Sequence, residues 1–98
     1  MPFFRVILSG EGIWLPFEDR SDPAIGFFTT RDVRAACIEQ ATRVATDLVL
    51  IEWRPGGKYA AANKGALPVV ALDESWQIGL LRGIFGRKPT GYTFYSRE

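Results

Sequence analysis

Gly26–Ala41, reading GFFTTRDVRAACIEQA, passes from period-two alternation into helical spacing, and that transition decides the fold. Its first half is a strand with Phe27 and Val33 on one parity, joined by Ile25 before it and Ala35 after it. Its second half opens a helix whose apolar positions begin at Ile38 and continue through Ala41, Val44, Ala45, Leu48 and Ile51, about four turns in all. Arg31 sits in phase with the apolar residues of the strand. An unpaired charge in a core costs several kcal/mol even after relaxation, so Arg31 requires a buried partner or lines a site.

Upstream, residues 4–15 alternate as another strand. Phe4, Val6, Leu8 and Trp14 share one parity with Gly10 and Gly12, while Arg5, Ser9 and Glu11 occupy the other. Between the two strands, residues 16–24 (PFEDRSDPA) carry two prolines and four charges, which predicts an exposed loop. Downstream of the helix, Glu39, Arg43, Asp47 and Glu52 are expected to face water, and Pro55, Gly56 and Gly57 end the helical pattern. Residues 58–65 (KYAAANKG) fit one or two helical turns or an irregular loop. A third strand spans residues 68–78, with Val70, Leu72, Trp76 and Ile78 on one parity and Glu74 sharing it. A fourth runs from Tyr92 to Arg97, after a 13-residue connection that is long for a hairpin.

The order strand, strand, helix, strand, strand predicts an α+β domain of two layers. Its sheet is antiparallel and four-stranded (β-β-α-β-β, order 2-1-3-4), with one long helix packed on one face. At the level of fold alone this resembles small antitoxin-type domains, in which two strands feed a helix opening with an Ala-x-x-x-Glu-x-Ala pattern, here Ala35, Glu39 and Ala41. The glycine and cysteine turn and the DNA-binding tail of those domains are missing from this sequence.

Composition bounds the function. A chain of 98 residues, 47% apolar, fits one domain over residues 1–98. One cysteine, Cys37, excludes an internal disulfide, and the lack of histidine removes the commonest ligand of zinc and iron sites, so neither a metal nor a cofactor is expected. The amino terminus lacks the pattern of a secretory leader, which makes a cytoplasmic protein the default expectation. No apolar run approaches the roughly 20 residues of a membrane span. The net charge is +1, divided between an acidic half (residues 1–53, net −3) and a basic half (residues 54–98, net +4). A pI of 7.9 is low for a nucleic-acid module.

Arg31 and Glu74 are the two ionic residues that break an apolar strand parity. In the order 2-1-3-4 they lie on the strands flanking the first, about 10 Å apart, with Gly10 and Gly12 between them. This predicts an Arg31–Glu74 ion pair bridging the glycines. It serves either fold specificity or a polar anchor in an apolar cleft. Cys37 occupies the expected helix N-cap, with Gln40 three residues on in the place of a capping box. A thiol there feels the helix dipole, but the chain has no histidine to act as its base. Residues 79–91 combine Leu80, Leu81, Ile84 and Phe85 with Arg82, Arg87 and Lys88. Such a segment either folds back over the core or forms a self-association surface with a basic rim.

The end of the chain, TGYTFYSR, partly matches the RNA-recognition signature through Gly91, Tyr92 and Phe94. It departs at Thr90, Thr93 and Arg97, so nucleic acid is not the expected partner. GGKYAAANKG lacks the spacing of a phosphate loop. The neighbouring acids Glu18 with Asp19, and Asp73 with Glu74, would point to opposite sides of a strand and cannot converge on one atom.

Taken together, GFFTTR-x-V-x-A with a following Glu-x-Ala helix, Pro68 opening a strand that holds Glu74, and a final GYTFY resemble a family of short bacterial proteins of unassigned function. That resemblance implies a shared fold and carries over no catalytic residue. The leading expectation is a small non-enzymatic binding or protein-interaction domain, a homodimer using the sheet edge or Leu80–Phe85. The alternatives are a small hydrolase or transferase with Arg31 as anion anchor, and a nucleic-acid accessory protein.

Overall fold

The computed structural model describes residues 1–17, 22–79 and 91–96. Two long strands, β1 (Phe3–Leu15) and β2 (Ala24–Arg34), lead into α1 (Ile38–Trp53), followed by β3 (Val69–Ile78) and β4 (Tyr92–Ser96). The α+β class and the antiparallel four-stranded sheet match expectation. The strand order does not, because the sheet runs β3-β1-β2-β4. β1 lies between β2 and β3 as the sequence suggested, but β4 pairs with β2 (Phe27 opposite Phe94, Thr29 opposite Tyr92) rather than with β3. β3 and β4 are therefore not hairpin partners. The rings of β4 supply the reason: beside β2, Tyr92 and Phe94 reach Phe27, Trp53 and Tyr59 at centroid separations of 5.0–6.3 Å.

The core lies between α1 and one face of the sheet. β1 gives it Phe4, Val6 and Leu8, and β2 gives it Phe27 and Val33. From α1 come Ala41, Ala45, Val49 and Trp53, spaced every four residues. That stripe keeps Ala41 and Ala45 of the expected one and is rotated off the rest: Ile38, Val44, Leu48 and Ile51 are 38%, 36%, 45% and 63% exposed. Alanines at 41 and 45 let the helix approach the sheet closely, while Trp53 fills the wider space near its end and fixes the rotation. Trp53 stacks between Phe27 (5.3 Å, 7°) and Tyr59 (4.7 Å, 19°).

Two irregularities change which residues face the helix. Beyond Glu11 the register of β1 with β2 shifts, and Gly12 takes φ +92°, a conformation that favours glycine. Ile13 and Leu15 then turn inward and Trp14, expected inside, is 47% exposed. On the other side of β1, Leu72 pairs with Leu8 and Glu74 with Ile7, so Asp73 is an extra residue. This bulge reverses the parity of everything after it in β3. Val70 and Leu72 stay on the helix face, whereas Glu74, Trp76 and Ile78 share the face of Ile7, Arg5 and Phe3.

The chain after α1 is an ordered loop with a single helical turn, closed by Asn63 N–H to the Tyr59 carbonyl at 2.9 Å. Asn63 then fastens it to the end of β1. Its Oδ1 accepts from Trp14 N–H (2.9 Å) and Gly65 N–H (3.0 Å), and Ala66 N–H donates to the Gly12 carbonyl (3.0 Å).

Candidate functional site

The most concentrated polar chemistry among the described residues surrounds Arg31, on the helix face of β2 and 8% exposed. Its cross-strand neighbour is Val6, which is fully buried. The Arg31 guanidinium donates from Nη2 to Glu52 Oε1 at 2.9 Å and from Nε to Thr29 Oγ1 at 3.3 Å. Its carbon lies 5.3 Å from the centre of the Tyr92 ring. Glu52, in the last turn of α1, accepts a second hydrogen bond on the same oxygen from the Tyr92 hydroxyl. That hydroxyl in turn accepts from Trp53 Nε1 at 3.3 Å. Thr29 Oγ1 donates to the Gly91 carbonyl at 2.8 Å, directly before β4.

Three separate elements thus meet at one carboxylate: β2 through Arg31, α1 through Glu52 and β4 through Tyr92. The Tyr92 phenol is pushed well above its ordinary range, first by burial and then by its hydrogen bond to Glu52. It is held protonated as a donor and does not act as a base near neutral pH. The Arg31 side chain is 9% exposed and that of Glu52 26%, so the pair sits at the margin of the core. Arg31 thereby ties the sheet to the helix.

The expected partner of Arg31 is corrected by this geometry. Glu74 is exposed and belongs to the opposite face of the sheet, because the bulge at Asp73 reverses its parity. Gly10 leaves no channel between them: a Cβ built there would come within 2.2 Å of Phe27 Cζ, so the Phe27 ring already occupies the space. Leu80, Leu81, Arg82, Ile84, Phe85, Arg87 and Lys88 lie outside the described residues. Cys37 is the N-cap of α1 as expected, exposed, and its side chain makes no capping hydrogen bond. Gln40 does fold back, but its Oε1 takes the Ala36 N–H at 2.6 Å, one residue before the cap.

Tyr92 and Phe94 turn toward α1 and pack in its aromatic cluster, so they are not the outward stacking platform that the RNA-recognition pattern requires. Among the described residues no three acidic or cysteine side chains group as a metal site, and no helix is long and apolar enough to cross a membrane. No family model, curated protein or solved structure matches the chain. Any functional reading rests on the geometry.

On the face of the sheet away from α1, Arg5 and Asp32 form a bidentate pair with both bonds at 2.8 Å. The Asp32 side chain is 1% exposed, and its hydrogen bond raises the pKa of Arg5 further. Near it, Arg34 lies over the Phe3 ring at 4.7 Å.

Sequence reasoning found Arg31 and missed Glu52, Tyr92 and Trp53 as its surroundings. The spacing that puts Leu48 and Ile51 in the apolar stripe turns Glu52 to water; the structure keeps Ala41 and Ala45 of that stripe but continues it through Val49 and Trp53, which brings Glu52 toward the sheet. The aromatic spacing of GYTFY was the available signal for Tyr92, and it became legible only once β4 was placed beside β2.

Proposed function

We propose that this chain is a small non-enzymatic protein-interaction domain that works as a homodimer, docking through the flank of α1 that carries Val44, Leu48 and Ile51. The observation behind this reading is a second apolar flank on α1. The helix buries Ala41, Ala45, Val49 and Trp53 against the sheet and leaves three branched aliphatic residues, Val44, Leu48 and Ile51, spaced i, i+4, i+7, at 36–63% exposure. A helix that only covers a sheet carries polar groups on such a flank, since full burial of a branched aliphatic side chain is worth about 1.5–3 kcal/mol. Completing the burial of these three against a partner recovers roughly 1 kcal/mol each. Leu72, on the helix side of the edge strand β3, is also 49% exposed.

The sheet edge is a poorer docking element than expected. Among the described residues β3 is an edge strand, broken by the bulge at Asp73 and carrying two acids in succession, devices that discourage strand pairing. A hydrolase or transferase reading loses its anchor, because Arg31 is engaged by Glu52, Thr29 and the Tyr92 ring.

Sedimentation equilibrium over a wide concentration range tests the proposal. The expected result is a dimer for the natural sequence and a folded monomer for Leu48→Glu, with circular dichroism unchanged because Leu48 is outside the core. A natural chain that remains monomeric at the highest concentration overturns the homodimer. A Leu48→Glu variant that still dimerises overturns the helix flank as the surface.

A further inference from the structure

We draw no further inference here: the strongest candidate, the face of the sheet turned away from α1, which holds the Arg5–Asp32 pair and the 44% and 39% exposed rings of Phe28 and Trp76, carries nothing because nothing among the described residues shows what covers it.

Discussion

Removing Glu52 should cost far more than removing Arg31, although the two form one ion pair. In Glu52→Ala the Arg31 guanidinium keeps, among the described residues, only the 3.3 Å contact to Thr29 and the face of the Tyr92 ring, at 9% side-chain exposure. Two charge-assisted hydrogen bonds vanish and a nearly buried cation is orphaned. Loss of one partner from a fully buried pair costs about 3–5 kcal/mol. The 26% exposure of Glu52 lets water reach the vacated position, which sets the expectation at the lower end, about 3 kcal/mol. In Arg31→Met, a chain of similar length fills the same apolar slot, and the remaining carboxylate keeps Tyr92 and water, so about 1 kcal/mol is expected. For a domain of this size, 3 kcal/mol lowers the melting temperature by roughly 12–24 °C. Urea unfolding followed by tryptophan fluorescence suits the measurement: Trp14 and Trp76 are already exposed and Trp53, at 3%, is not. The double variant Arg31→Met with Glu52→Gln should sit closer to Arg31→Met than to Glu52→Ala. Equal losses in the two single variants, or a Glu52→Ala loss under about 0.5 kcal/mol, would refute the account of an arginine kept neutralised at the edge of the core.

Three other outcomes follow from the same geometry. The folded state raises the Tyr92 pKa, so unfolded chains ionise first as pH climbs: the stability from this phenol is complete below about pH 10 and is lost above it as the folded pKa is approached. Melting temperature should therefore fall more steeply above about pH 10 in the natural protein than in Tyr92→Phe, and parallel curves would contradict the assignment. Gly10→Ala should cost about 2–3 kcal/mol and alter the near-ultraviolet circular dichroism, because the Phe27 ring it strikes is fully buried and stacked on Trp53. Cys37→Ser should stabilise the fold by about 0.5–1 kcal/mol in the same urea assay, since serine caps a helix and the thiol does not; a loss would show that the sulfur packs in a way its exposure conceals.

The legibility of this chain depended on how local each signal was. The two strands read over residues 4–15 and 25–35, the onset of helix at Ile38, and its end before Pro55 are set by neighbours within a few residues, and all three signals appear in the structure, with the alternation of the first strand intact as far as Glu11. The burial of Arg31 was legible for the same reason: no irregularity interrupts β2 between Gly26 and Arg34, so parity holds. Parity failed where one backbone residue was out of step. Gly12 put Trp14 outside, and the bulge at Asp73 put Glu74 on the opposite face from Arg31. A bulge is created by pairing with another strand and leaves little trace in its own strand's composition.

By itself the sequence determined the element order, the single antiparallel sheet and the helix that covers it, because those follow from residue spacing and turn chemistry along the chain. It also determined that Arg31 needs a partner. Only the tertiary structure decided which one. Glu52 was chosen by the rotation of α1, which depends on two alanines pressing against the sheet and Trp53 stacking on Phe27. Tyr92 was chosen by the edge to which β4 returns, which depends on rings meeting from segments 39–65 residues apart in sequence. Both are packing outcomes among distant segments, and spacing along one segment does not encode them.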